Sequence, residues 1–125
     1  MVFNIKITLN QKARFCANGN EVDEAKEDTF ASVVSQDLVR LFFLLAALNN
    51  LDVLSANKQN AYLSAPIKEK YWYWCGLEFG SNAGRPAKIV RALYGLKSAG
   101  RTFRSYLAEH LQKLGYPSCK AAPNI

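Results

Sequence analysis

The chain has 125 residues, half of them hydrophobic and 21% charged, which suits one small domain with a core and excludes global disorder. A formal net charge of +6 points to polyanionic partners without choosing between nucleic acid and membrane. Cys16, Cys75 and Cys119 lie far apart with no Cys-x-x-Cys spacing, so with the lone His110 they make a poor zinc set and read as free thiols of a reducing compartment.

Residues 2–9 alternate apolar Phe3, Ile5, Ile7 and Leu9 with Asn4, Lys6 and Thr8, a strand with one apolar face. The alternation also lacks the apolar run of a secretory signal. Residues 12–17 read as a second strand, and Asn18-Gly19-Asn20 as a turn. Glu21, Asp23, Glu24, Glu27 and Asp28 crowd a segment poor in large apolar residues, which reads as a solvated loop. Ser35 is placed to cap a helix opened by Gln36 and Asp37. That helix is apolar on nearly every face from Leu38 to Leu48, the pattern of a helix buried in something larger. Its greasiest run is too short to span a bilayer, so the expectation is a soluble intracellular protein, cytoplasmic or nuclear, with no membrane partner. Asn49-Asn50 ends it, and residues 51–56 return to strand character.

Tyr71, Trp72, Tyr73 and Trp74 give residues 69–75 the aromatic density of a strand, and residues 76–86 read as a glycine-rich loop. Lys88-Ile89-Val90 suggests a short strand before a Tyr94-Gly95 turn. Phe103, Tyr106, Leu107, Leu111 and Leu114 then fall at helical spacing, opened near Ser98 or Gly100 and closed by Gly115 and Pro117. The reading is one α+β domain without repeats or linkers. Arg85, Lys88, Arg91, Lys97, Arg101 and Arg104 follow one another with no acidic residue between Glu78 and Glu109. Tyr94, Phe103 and Tyr106 interleave with them, and basic groups with aromatics are the usual means of holding nucleic acid. Phe103 and Tyr106 also belong to the apolar stripe of the last helix, so the basic residues are the stronger half of that signal.

Two blocks, Asn57-Lys58-Gln59-Asn60-Ala61-Tyr62-Leu63-Ser64-Ala65-Pro66 and Ala92-Leu93-Tyr94-Gly95-Leu96-Lys97-Ser98, resemble the central blocks of the reverse transcriptase of copia-type retrotransposons. Lys12-Ala13-Arg14, the segment from Glu27 to Val34, Arg40 and the stretch from Gly115 to Pro123 resemble further blocks of that family in the same order. The resemblance implies part of a right-hand polymerase, residues 1–50 fingers-like and 51–125 palm-like, with a mixed or antiparallel sheet packed by two main helices. It implies a nucleotide site of Lys12, Arg14, Tyr62, Tyr94, Gly95 and Lys97. The arginine and lysine would meet the triphosphate, and the Tyr62 ring would exclude a ribose 2′-hydroxyl. Independently of the resemblance, the basic residues Arg85, Lys88, Arg91, Arg101 and Arg104 would hold RNA or an RNA–DNA primer–template. A deoxynucleotide and magnesium are the ligands of the intact family.

This chain departs from that pattern. Asn57 stands where the family has a metal-binding aspartate, and an amide holds magnesium poorly. Asn18 replaces a usual arginine, and Ala122 an acidic residue. No adjacent pair of aspartates occurs in the 125 residues, so the Tyr-x-Asp-Asp hairpin that supplies further carboxylates is not among them. The expectation is a truncated, catalytically inactive piece with no cofactor of its own. Beside the 51–56 strand it would leave an open sheet edge, a site for a partner chain or self-association. The alternative is a non-catalytic nucleic-acid-binding module using the basic segment 85–104.

Overall fold

The alternation seen near the N-terminus does build a strand, but a short one. The computed structural model describes residues 2–5, 7, 9–19, 29–31 and 33–118. In it β1 (Val2–Ile5) pairs antiparallel with β2 (Gln11–Arg14), Val2 opposite Arg14 and Ile5 opposite Gln11. Both expected strands are cut short. Leu9 adopts a φ of 59°, outside the extended range, and the backbone has left β2 by Phe15. The acidic segment 21–28 and residues 119–125, which include Cys119, Ala122 and Pro123, lie outside the described residues.

α1 (Gln36–Leu48) starts where the sequence places it. The Ser35 side chain accepts a hydrogen bond from the Leu38 N–H at 3.2 Å, and Asp37 occupies the first turn, where the helix dipole favours a carboxylate. Arg40 pairs with Asp37 at 3.3 Å in full exposure, a contact that adds little. At the other end Asn49 satisfies the Leu45 carbonyl with both its backbone N–H and its side-chain amide, and Asn50 turns away at a φ of 51°. The expected burial of α1 is not found: Ala46 is its one buried residue, while Leu41, Phe42, Phe43, Leu44, Leu45 and Leu48 are exposed. Its apolar character reflects residue content on every face, and no element of the described chain lies over those faces.

Residues 51–60 are exposed and irregular, so the strand expected over 51–56 does not form. A strand is held by a neighbour's backbone groups, and the described residues place none beside this segment. With it goes the expected open edge at that position. A single helical turn follows, α2 (Ala61–Ser64), entered through Asn60 at a φ of 50°.

β3 (Pro66–Trp74) begins earlier than its aromatic run and pairs antiparallel with β4 (Pro86–Arg91). The connection between them is a short 3-10 stretch, Leu77–Asn82, where a plain loop is expected. α3 (Ala99–Lys113) closes the described chain and ends as the sequence indicates. Gly115 takes a φ of 88°, its N–H bonds the Gln112 carbonyl, and the Tyr116 N–H bonds the Leu111 carbonyl. Those paired bonds satisfy the last carbonyls of the helix in a Schellman motif.

The fold is α+β, with two separate two-stranded antiparallel ribbons in place of the single sheet expected. Packing joins β3 to β4, α3 to β3, and α2 to both α3 and β4. Ala65, Ala92, Leu93, Leu96 and Ala99 form the buried centre, flanked by Phe15, Ala17, Tyr62, Ile67, Tyr71, Ile89, Phe103 and Tyr106. Small residues dominate that centre, so backbones approach closely there and large rings fill the rim. Among the described residues no helix is long and apolar enough to cross a membrane.

Candidate functional site

Residues 61–66, the second half of the first block, meet residues 92–98 in the core. Ala65 and Ala92 are both fully buried, and the Ala92 N–H donates to the Ala65 carbonyl at 2.9 Å. Arg91 donates from Nη1 to the Ser64 carbonyl at 3.1 Å, closing the end of α2. The Tyr62 ring then lies 5.0 Å from that of Tyr94 and 5.9 Å from that of Phe103, both tilted contacts. Tyr62 is half-buried in this cluster, its hydroxyl beside Gly100 at the start of α3.

The Tyr94-Gly95 turn is bound from the other side by the chain leaving β2. Cys16 bridges Tyr94 in parallel, and the Ala17 N–H donates to the Tyr94 carbonyl at 2.7 Å. Leu96 returns an N–H to the Leu93 carbonyl at 3.2 Å, and Gly95 supplies the positive φ, 90°, that the third position of a type II turn requires. Phe15 anchors the same segment, 5.2 Å from Tyr73 and 5.7 Å from Phe79. In this cluster burial pushes the Tyr73 phenol above its usual value, helped by a hydrogen bond with Cys75 and by the electrostatic influence of the neighbouring Cys75 and Glu78 side chains.

Lys12 and Arg14 share one half-buried face of β2, and Arg14 sits two residues before the Cys16 bridge to Tyr94. The fold therefore connects the strand bearing Lys12 and Arg14 directly to the turn bearing Tyr94, Gly95 and the exposed Lys97. Asn57 is exposed in the irregular segment before α2. The residues around it do not fit a magnesium pair. Its neutral amide is a weak donor, Asp52 is exposed in the same irregular stretch, and the described residues contain no cluster of three or more His, Cys, Asp or Glu able to hold an ion.

The basic residues separate into different surroundings. Arg85, Lys88 and Arg91 are exposed along or beside β4, whereas Arg101 and Arg104 are half-buried on α3. Lys88 lies on the outward face of the β3–β4 ribbon; the opposite face, with Ile67, Tyr71 and Ile89, packs toward Phe103 and Tyr106 of α3. Sequence order joined these cations into one stretch, but strand alternation and the helix divide them between two sides of the ribbon. Behind the ribbon, Lys68, Glu69, Ser98, Arg101 and Glu109 line a cleft of about 200 Å³. There the buried Ser98 hydroxyl donates to Glu69 Oε2 at 2.9 Å.

Reading the sequence for basic stretches missed Lys70, Trp72 and Trp74, which share the outward face with Lys88. The parity of a strand, which sends alternate residues to one face, was the signal that could have grouped Lys70, Trp72 and Trp74.

The structure is an α+β unit in which Tyr62 and Tyr94, from two separate blocks, meet beside the chain leaving β2. The chain belongs to the reverse transcriptase (RNA-dependent DNA polymerase) family, whose model matches residues 2–124. No solved structure matches the chain.

Proposed function

We propose that this chain is a copia-type reverse-transcriptase segment that does not polymerise DNA on its own. The observation that carries this reading is Asn57, an amide at the position of the metal-binding aspartate in a block otherwise held against its partner block, Tyr62 against Tyr94. Two-metal nucleotidyl transfer needs carboxylates to hold the ions that stabilise attacking and leaving oxygens. Losing several kcal/mol of that stabilisation slows the reaction by several powers of ten, since each 1.36 kcal/mol is a factor of about ten. The copia type rests on the ordered blocks beginning at Lys12, Asn57 and Ala92. Primer extension on an RNA template with magnesium and deoxynucleotides tests the reading: no incorporation by the chain is expected. Template-dependent extension by the unaltered chain overturns it.

A second activity is compatible with the first: the chain holds RNA or an RNA–DNA primer–template without turning it over. Arg85, Lys88, Arg91 and Lys97 are exposed, and the net charge is +6. Fluorescence anisotropy of a labelled primer–template across a salt series reads this directly. Affinity falling steeply with salt is the expected result, with a slope growing by about 0.7–0.9 per phosphate neutralised. Absence of saturable binding by folded protein removes the activity.

A further inference from the structure

Trp72 and Trp74, on the outward face of the β3–β4 ribbon, lie outside every block that carries the family resemblance. Where the two strands pair in regular register, the outward positions are Trp72 and Trp74 on β3 and Pro86 and Lys88 on β4; the exposed Lys70 precedes them, next to the register shift between Pro66 and Tyr71. Trp72 and Trp74 are 64% and 74% exposed, large aromatic surfaces left in water. Trp72 stands directly opposite Lys88, and Trp74 opposite Pro86. None of these outward residues is acidic; the one carboxylate of the strand, Glu69, is turned inward to Ser98. Lys68 lines the cleft on the α3 side with Glu109, so Lys70 and Lys88 are the cations that flank the rings.

We propose that this face binds single-stranded nucleic acid, Trp72 and Trp74 stacking on unpaired bases while Lys70 and Lys88 neutralise the adjoining phosphates. The inference rests on the nucleic-acid-binding activity described above and gives it a location. Aromatic side chains stack on any base, and flanking cations track the backbone, which is how proteins hold single strands without reading sequence. The spacing favours a single strand over a duplex. Positions two apart on a strand are separated by about 7 Å, roughly twice the ~3.4 Å step between stacked bases. Neighbouring bases reach both rings only when they are unstacked from each other. A duplex keeps its base faces covered and offers the rings nothing but its ends. The wholly cationic polar complement of the face suits a polyanion, so an apolar protein partner is the weaker fit.

The chain's own fluorescence makes the test specific. Trp72 and Trp74 are its only two tryptophans, so all tryptophan emission comes from this face. Oligothymidylate is titrated into the full chain, with tryptophan emission and the anisotropy of a labelled oligonucleotide followed in parallel. The proposal expects saturable quenching that tracks the anisotropy and weakens with salt. Trp72→Ala and Trp74→Ala should each lower affinity about tenfold, and Lys88→Glu should lower it and flatten the salt dependence. All three sites are exposed, and circular dichroism of each variant separates lost binding from lost fold. Anisotropy that rises without quenching, unchanged by the tryptophan substitutions, overturns the proposal while leaving nucleic-acid binding elsewhere intact. Equal affinity for a duplex of the same length also overturns it, as does a blue shift with protein concentration alone, which would show a second copy covering the face. No binding in either channel removes the underlying activity and the proposal together.

Discussion

The ring of Tyr62 lies 5.0 Å from the ring of Tyr94 at an inclination of 44°, joining residues that are far apart in sequence. With Phe103 at 5.9 Å, Tyr62 is a packing element of the core rim as well as the aromatic of its block. Tyr62→Ala should therefore destabilise the fold by about 1–3 kcal/mol, from lost aromatic contacts and partial burial. Tyr62→Phe keeps the ring and should cost well under about 1 kcal/mol. Urea unfolding of the two variants separates a packing role from a hydroxyl role.

Gly95 tolerates no side chain. Its φ of 90° disfavours any L-residue, and a β-carbon there would overlap the Ala17 carbonyl oxygen and lie 2.9 Å from its carbon. Gly95→Ala should cost about 2 kcal/mol or more and detach the segment after β2 from the turn. Amide exchange at Ala17, whose N–H bonds the Tyr94 carbonyl, should accelerate in step with the loss of stability.

The carboxyl of Glu109 is held below its usual value of 4.5, first by the hydrogen bond from Lys113 and then by the charge of that lysine. The pair lies one turn apart on α3 at 2.6 Å, glutamate on the N-terminal side. A lowered folded value means the ionised form favours the fold. Its contribution is complete above about 4.5 and is lost as pH falls through the lower, folded value. Both groups are well exposed, so the effect is confined to the helix end. An NMR titration of Glu109 should show its midpoint move up toward 4.5 in Lys113→Met, and an unmoved midpoint contradicts the pairing.

Asn57→Asp should leave stability within about 0.5 kcal/mol of the parent, because the side chain is exposed in an irregular segment. Thermal unfolding checks this. A large change would mean that Asn57 supports the fold instead of marking a replaced ligand.

Local signals carried the elements whose ends are chemically marked. Ser35 with Asp37 announced α1, and Gly115 with Pro117 announced the end of α3, since caps are decided within a turn of the chain. Failures came where the answer depends on neighbours. Residues 51–56 have strand character but no strand beside them, and the apolar faces of α1 have no cover among the described residues. Of the candidate site, the association of Tyr62 with Tyr94 was visible only through the family blocks. Neither composition nor periodicity pairs a single helical turn with a distant hairpin end. The division of Lys88 from Arg101 and Arg104 was likewise hidden, because charge order along the chain is silent on which side of a ribbon each cation faces.

The most direct test of the account is magnesium-dependent primer extension by the folded chain, with helicity verified by circular dichroism and an active polymerase as control on the same primer and template. The account predicts no nucleotide addition, because the block that should present an aspartate presents Asn57. Template-directed extension that chelation of magnesium abolishes would contradict it, and would mean that the ions are held by carboxylates other than one at position 57.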